Sequence, residues 1–210
     1  MRLLLVFLAS LVSSFSLIAE ELDRSDPYEM AVGVAEISFE RLKRDKDLIN
    51  QDPNHLKTVV EQELLPYTNY RYAALKVLGP EAKNNPRADV LAFIDAFRDY
   101  LVASYAQVLT QYDEQQIQFG PAPRLSESDR IAGVAVTIID TPNPNIRLEF
   151  KLRKEKDGSW AAFDIIAEGV SLLSSKQSEW RGELRRKGLS SVTQELQRLA
   201  QLPIKKTDGN

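Results

Sequence analysis

The feature that most constrains the fold is a change in hydrophobic periodicity near residue 116. Before this point apolar residues recur at helical spacing, above all in residues 86–112, and after it they alternate, as in IRLEFKLR at residues 146–153. Because short, turn-rich links join the alternating segments, we predict an antiparallel meander. Helical spacing returns from about residue 172. This order predicts an α+β domain with helices packed on the dry face of the sheet.

Proline, glycine and acidic residues mark where the individual elements begin and end. Asp26 and Asp52 each precede a proline, which is typical of a helix start, and Gly79 and Gly188 are typical of helix ends. The predicted helices cover residues 27–49, 55–65, 67–78, 86–112, 172–187 and 190–202. The predicted strands cover residues 116–119, 131–140, 146–153 and 160–166.

The N-terminal residues 1–19 have the pattern of a secretory signal peptide. Arg2 is followed by the apolar run LLLVFLASLVSSFSLIA, with cleavage expected after Ala19 or, as the alternative, after Ser16. The run is shorter than the roughly 20 residues that a membrane-spanning helix needs. We therefore expect residues 20–204 to form a single exported domain and residues 205–210 a flexible tail.

Composition narrows the class of function. The chain has a formal net charge of −3 and no cysteine. The acidic balance gives no support to nucleic-acid binding. An exported chain without disulfides must be stabilised by packing alone, which favours the periplasm of a Gram-negative bacterium over a eukaryotic extracellular space.

Catalytic and metal-binding motifs are scarce. The chain has one histidine, His55, which cannot by itself supply a zinc site, and we expect it at the surface. No GxSxG, GxGxxG, phosphate-loop or DxDxDG pattern occurs. We therefore predict no metal site and no nucleotide cofactor.

Two acids, Asp164 and Glu168, lie within the apolar run AFDIIAEGVSLL and are the remaining catalytic candidates. Regular alternation over residues 160–166 would put Asp164 on one face with Trp160 and Ile166. A pair of carboxylates can divide general acid and base work. The alternative is that both acids bind backbone groups at the strand end before Gly169, and we favour this structural role.

Four segments resemble the MlaC family of periplasmic lipid carriers, also known as the toluene-tolerance family. They are EQELLPYTNYRYAALKVLG, AFIDAFRDYLVASYAQVL, VTIID and AFDIIAEGVSLLSSKQSEW, and the resemblance extends from Asp26 to Leu202. It implies an NTF2-like curved antiparallel sheet, with helices on one face enclosing an apolar pocket for phospholipid acyl chains. It also implies exchange with an inner-membrane ABC transporter complex through its lipid-binding subunit and with an outer-membrane lipoprotein–porin complex, which maintains outer-membrane lipid asymmetry.

The resemblance implies no catalytic residue, and phospholipid is then cargo rather than a cofactor. An enzyme on the same scaffold that uses Asp164 in the cavity is the alternative, and an interaction protein without ligand is a third possibility. Where periodicity and resemblance agree, we predict these lipid-binding residues: Leu65, Tyr72, Leu75, Phe93, Phe97, Leu101, Val134, Val136, Ile138, Leu148, Phe150, Leu152, Ile166 and Val170.

Overall fold

A computed structural model describes residues 22–206, and it confirms the α+β prediction. The predicted signal peptide (1–19) and residues 207–210 of the predicted tail lie outside the described residues. The helices are α1 (Pro27–Arg44), α2 (Lys46–Gln51), α3 (His55–Val59), α4 (Tyr70–Leu78), α5 (Glu81–Asn84), α6 (Arg87–Leu109) and α7 (Leu172–Ala200). The strands are β1 (Gln116–Phe119), β2 (Ile131–Ile139), β3 (Ile146–Lys154), β4 (Trp160–Ala167) and β5 (Val170–Ser171).

The strands form one antiparallel sheet in the order β1-β2-β3-β4-β5. Neighbours in the sheet are also neighbours in sequence, which confirms the predicted meander. The predicted bounds of the first four strands match the observed bounds to within one residue at each end. The prediction missed β5, because two residues are too few to give an alternating pattern.

Strand β4 contains one residue more than its partner β3 can pair, and the extra residue is Phe163. Ala162 lies opposite Leu152, whereas Asp164 lies opposite the preceding residue of β3. Residues directly opposite one another on antiparallel strands share a face. Ala162 therefore lies on the face of Leu152, and Asp164 lies on the other face. The prediction that Asp164 shares a face with Trp160 is wrong, because the bulge interrupts the alternation.

The predicted first helix is interrupted at Asp45, which is a correction to the single helix expected over residues 27–49. Asp45 is buried and accepts hydrogen bonds from Arg41, Arg44 and His55 Nε2, the last at 2.7 Å. Burial by itself would raise the pKa of Asp45, but the hydrogen bonds from Arg41, His55 and Arg44 hold that pKa well below its usual range. Arg41 also binds Glu63 at 2.9 Å. His55, expected at the surface, is partly buried in this cluster.

The predicted second helix changes its winding twice before it ends. After α3, residues Val60–Leu64 form a π turn, in which the N–H of Leu65 donates to the carbonyl of Val60. A 3-10 turn, Leu65–Tyr67, contains Pro66, which cannot donate to a continuing helix. The chain then meets the sheet, because the N–H of Asn69 donates to the carbonyl of Ala162 in β4 at 2.7 Å.

Helix α7 is held at both ends and broken near its middle. Ser171 caps its first turn by accepting a backbone N–H at 2.9 Å. At the other end, Lys57 Nζ donates to the carbonyls of Ala200 and Leu202, both at 2.9 Å. Gly188 has φ 77° and ψ 170°, a conformation that favours glycine, and it separates two helical halves. This break confirms the predicted end of a helix at Gly188.

Within residues 22–206, buried apolar side chains form three clusters. One lies among α4, α6 and α7 around Phe93 and Phe97, and a second joins α1 and α3 to the C-terminal half of α6. The third joins α1 to the sheet around Met30 and Val134, and α6 contributes no residue to it. None of the helices in this part of the chain is both long enough and apolar enough to cross a bilayer.

Candidate functional site

Side chains from three adjacent strands form one apolar face, which we call the apolar sheet face. The register sets Val134 of β2 opposite Phe150 of β3, and Phe150 opposite Ile165 of β4. Alternation then adds the other members of this face. They are Ala132, Val136 and Ile138 from β2, Leu148 and Leu152 from β3, and Trp160 and Ala162 from β4.

The apolar sheet face is filled at one end and accessible at the other. At the filled end, α1 covers Val134 and Leu152, which are buried against Met30. At the opposite end, Ile138 and Leu148 keep part of their surface accessible, and so does Ile165, which is in the same cross-strand row as Val134 but two strands away from it. We call Ile138, Leu148 and Ile165 the open end of the sheet face.

Helix α6 shows the same contrast along its length. In its N-terminal half, Phe93 and Phe97 are 0% and 2% exposed and stack against each other in the helical cluster. In its C-terminal half, the side chains of Leu101, Tyr105 and Leu109, spaced four residues apart on one side of the helix, are only partly buried. We call these three residues the open stripe of α6.

The helical layer and the sheet are not packed closely where these two surfaces occur. Over residues 22–206, α6 packs against α3, α4, α7 and the π turn, and it has no more than marginal contact with any strand. Protein interiors are normally filled to the density of organic crystals. Apolar residues therefore stay partly accessible on both layers where α6 and the sheet are not in close contact.

Tyr105, in the open stripe of α6, packs with the apolar cluster of α1, α3 and α6. Burial raises the pKa of Tyr105 to about 12, and the nearby negative charge of Asp164 in β4 adds to the rise. The same side chain nevertheless keeps part of its surface accessible.

The Asp164 carboxylate accepts three hydrogen bonds, from Ile165, Ser171 and Leu173. Oδ1 accepts the backbone N–H of Ile165 at 2.8 Å and that of Leu173, in the first turn of α7, at 3.0 Å. Oδ2 accepts the hydroxyl of Ser171 at 2.6 Å. These bonds fasten the start of α7 to β4, which is the structural role that we favoured over catalysis.

Glu168 also has a structural partner. Its Oε1 accepts the N–H of Arg147 at 2.6 Å, while its own N–H donates to the carbonyl of Arg147 at 2.9 Å. The hydrogen bond from the Arg147 backbone holds the pKa of Glu168 below its usual range. Glu168 and Gly169 both have positive φ, at 47° and 81°, as a tight turn between β4 and β5 requires. Asp164 and Glu168 therefore bind different backbone groups, as the structural interpretation predicts.

Seven of the predicted lipid-binding residues lie on the two surfaces defined above. Leu101 belongs to the open stripe of α6. The six others belong to the apolar sheet face and are Val134, Val136, Ile138, Leu148, Phe150 and Leu152. Leu65 adjoins them, since it packs with Tyr105 in the cluster of α1, α3 and α6.

The other predicted residues lie elsewhere. Ile166 is opposite Glu149 and thus on the other side of the sheet, because of the bulge. Tyr72 contacts Phe163 edge to face, with ring centroids 5.1 Å apart. Phe93 and Phe97 are in the solid helical cluster described above.

Two more predicted residues lie at the surface. Leu75 is 38% exposed and Val170 is 56% exposed. Neither is brought to the apolar sheet face or to the open stripe of α6. The helical period of α4 and the strand of β5 are both too short to fix from sequence which side of each element is covered.

Sequence reasoning missed Tyr105, Leu109 and Ile165. The spacing Leu101, Tyr105, Leu109 is a signal that could have identified the open stripe. No comparable signal exists for Ile165, because the bulge that turns it toward Phe150 leaves no mark in the pattern of residue types.

Two grooves lie open on the outer surface of the described part of the chain. One, of about 550 Å³, is lined by Tyr100, Ala103, Ser104, Gln107, Leu199, Leu202, Pro203, Ile204 and Lys205. The other, of about 640 Å³, is lined by Lys57, Glu61, Asp99, Val102, Gln197, Ala200 and Gln201. Neither includes a predicted lipid-binding residue. Over residues 22–206, no three histidine, aspartate or glutamate side chains could hold a metal ion together.

Comparison with known proteins identifies the family. The family model described as "MlaC protein" matches residues 33–198. The chain belongs to the MlaC family. A family member from Haemophilus influenzae, named as the intermembrane phospholipid transport system binding protein MlaC, is 32% identical over 199 residues, which are 94% of this chain and 92% of the relative.

A solved structure supports the same fold. The phospholipid-binding protein from Ralstonia solanacearum, in complex with a phospholipid, superposes with a TM-score of 0.73 at 18% sequence identity. The match covers 83% of this chain and 97% of that protein. At this identity the likeness establishes the MlaC-type fold.

Proposed function

We propose that this chain is a phospholipid carrier and not an enzyme. The observation that carries the proposal is that the open stripe of α6 and the open end of the sheet face are apolar and partly accessible, while α6 has no more than marginal contact with any strand. Membership of the MlaC family supports it, since the Haemophilus relative is named for intermembrane phospholipid transport. The complete set of hydrogen bonds at Asp164 weighs against the alternative of an enzyme that uses this residue.

The energetics of lipid transfer favour an enclosed site. Each buried methylene group contributes about 0.8 kcal/mol, so two acyl chains with roughly 30 carbons carry on the order of 20 kcal/mol of transfer free energy. A shallow surface groove recovers only part of this. An NTF2-like fold that holds both chains between α6 and the sheet makes exchange with a bilayer nearly balanced. The charged headgroup can then remain in water at the mouth.

We further propose that transport occurs in the periplasm of a Gram-negative bacterium after removal of the signal peptide. The donor and acceptor would be an outer-membrane lipoprotein–porin complex and an inner-membrane ABC transporter complex with its lipid-binding subunit. The carrier would then maintain the lipid asymmetry of the outer membrane. Because binding and release are nearly balanced, docking to one partner or the other sets the direction.

Extraction of bound lipid tests the proposal. The mature chain is expressed into a bacterial periplasm, purified without detergent, denatured and analysed by mass spectrometry for phospholipid. We expect phospholipid at a level comparable to the protein. A second measurement follows the transfer of a fluorescent phospholipid between donor and acceptor vesicles. Protein that is free of lipid and does not bind phospholipid added afterwards would refute the proposed function.

A further inference from the structure

The smaller of the two surface grooves, of about 550 Å³, lies between α6 and the segment that follows α7, and we call it the C-terminal groove. Its volume is within the range of small-molecule sites, and its lining is mostly apolar. Leu202, in one wall, is 46% exposed. Val108, one helical turn after the lining residue Ser104, is 62% exposed. Large apolar side chains that are exposed beside a groove are typical of a binding surface.

The wall contributed by the segment after α7 is held firmly in place. Ile204 is buried in the cluster of α1, α3 and α6, and its N–H donates to Asn54 Oδ1 at 3.0 Å. The side chain of Gln107 binds both backbone groups of Lys205: Nε2 donates to the carbonyl at 2.7 Å, and Oε1 accepts the N–H at 3.1 Å. Segments near a chain end are poorly ordered unless they are tied down in this way. The groove is therefore formed before any ligand binds.

Lys205 supplies a positive charge to the lining of the groove. Within residues 22–206, its ammonium group has no hydrogen-bond or ion-pair partner, and no carboxylate of that part of the chain lines the groove. The next residue differs, because Lys206 Nζ donates to Asn50 Oδ1. An apolar groove with one unneutralised cation is complementary to a ligand that has an apolar chain and an anionic group.

We propose that the C-terminal groove binds a single-chain anionic amphiphile, with the chain along the apolar lining and the anionic group at the Lys205 ammonium. A fatty acid and a lysophospholipid share this chemistry. A single chain of 14 carbons binds even a bilayer only marginally, so partial burial in an open groove can compete for it. This site is separate from the open stripe of α6 and from the apolar sheet face, and it does not depend on the carrier function.

The lining favours an acyl chain over an extended peptide. The backbone of a peptide has an N–H and a C=O at nearly every residue, and these groups need partners when they are buried. The amide of Gln107 is already used by the backbone of Lys205, which leaves the hydroxyls of Tyr100 and Ser104. An acyl chain needs no such partners. The sequence TDGN at residues 207–210 contains no large apolar side chain that would suit the groove.

Tryptophan fluorescence can report on the groove. The ring of Tyr100, which lines the groove, contacts Trp180 edge to face with ring centroids 5.3 Å apart. Bromine quenches tryptophan fluorescence only at short range, so the probes are 12-bromododecanoate and the neutral 12-bromododecanol, both below their aggregation concentrations. The protein is used as purified, so that any phospholipid already bound stays in place. We expect saturable quenching, which should persist in Trp160→Phe because Trp160 lies in the cluster of α1 and the sheet.

Two neighbouring lysines provide a matched pair of variants. Lys205→Met is expected to raise the dissociation constant of the carboxylate about three- to fivefold, as for loss of an exposed ion pair, and to leave that of the alcohol unchanged. Lys206→Met is the control and should change neither constant, because Lys206 does not line the groove.

Ser104→Phe tests the apolar part of the groove. Its ring should occupy the space next to α6 and weaken the binding of both probes about tenfold or more. The amount of phospholipid found by mass spectrometry should not change, because Ser104 belongs neither to the open stripe of α6 nor to the sheet.

Three results would overturn the inference. They are an absence of quenching by the carboxylate, equal effects of Lys205→Met and Lys206→Met, and unchanged affinity in a folded Ser104→Phe. The first would leave the groove as a contact surface for another protein or a second copy of the chain. If circular dichroism shows Ser104→Phe to be unfolded, the comparison of the two lysine variants decides. None of these results bears on the carrier function, which is tested by extraction of bound phospholipid.

Discussion

Replacement of Asp164 by alanine removes the acceptor that fastens α7 to β4. The change leaves two backbone N–H groups, those of Ile165 and Leu173, without their partner. An unsatisfied buried donor costs about 1–3 kcal/mol, and partial access of water to this site lowers the total to roughly 2–4 kcal/mol. For a domain of this size, 1 kcal/mol shifts the melting temperature by about 2–4 °C, so we expect a decrease of about 4–16 °C.

Asp164→Asn is the informative companion. It keeps one side-chain oxygen for the two N–H groups, and its amide can donate to Ser171, whose hydroxyl can rotate to accept. The loss is then confined to the charge, about 1–2 kcal/mol, because charge-assisted bonds are roughly twice as strong as neutral ones and a negative charge near a helix N-terminus is favourable.

Urea unfolding, followed by circular dichroism on lipid-free protein, measures both changes. We expect the order wild type, Asp164→Asn, Asp164→Ala in decreasing stability. In a separate preparation without removal of lipid, mass spectrometry should find phospholipid in the asparagine variant. If the two variants were equal in stability, or if alanine cost under about 0.5 kcal/mol, the anchoring role derived for Asp164 would be refuted.

Two further changes test the site and the buried charge cluster. Leu148→Trp can extend from the open end of the sheet face, so we expect less bound phospholipid by mass spectrometry at near-native stability. Val136 is buried, so Val136→Trp should lower the unfolding free energy by about 1–3 kcal/mol through overpacking. The reverse order would contradict the assignment of open and filled parts. Asp45→Asn should lower the unfolding free energy by roughly 2–4 kcal/mol at neutral pH, since it breaks a buried ion pair. The folded-state pKa of Asp45 is depressed, so the carboxylate contributes its full stabilisation at pH values above the ordinary pKa of 3.8. That contribution decreases as pH falls below 3.8 and is lost only below the depressed pKa. The unfolding free energies of wild type and Asp45→Asn should therefore converge as the pH is lowered.

Much of the fold follows from the sequence because its local signals agree. The Asp26–Pro27 start of α1 was predicted, and the Asp26 carboxylate does accept the N–H groups of Tyr28 and Glu29. The strands were predicted because their alternation is regular and their links are short. The interruption at Asp45 was not predicted, because the contact that Asp45 makes there with His55 joins residues ten positions apart and forms only once the helices have packed.

The site was predicted less well than the fold. Sequence periodicity identifies which side of an element is apolar, but a filled interior and a lined space use the same residue types. Phe93 and Leu101 are both apolar members of α6 and pack in the same helical cluster, yet Phe93 is 0% exposed whereas Leu101 keeps part of its surface accessible. Ile166 and Ile165 exchange roles because of a single extra residue in β4, a tertiary feature with no signature in the local pattern.

The two anchored ends of α7 have a mechanical consequence. Asp164 pins the start of the helix to the sheet, and Lys57 pins its finish to the helical layer. A motion that separates the sheet from the helical layer must then change the shape of α7 between these two ends. Gly188 lies between these two attachment points, and its backbone is outside the helical region. Bending of α7 at Gly188 would therefore allow the sheet and the helical layer to separate while both ends of the helix stay hydrogen-bonded.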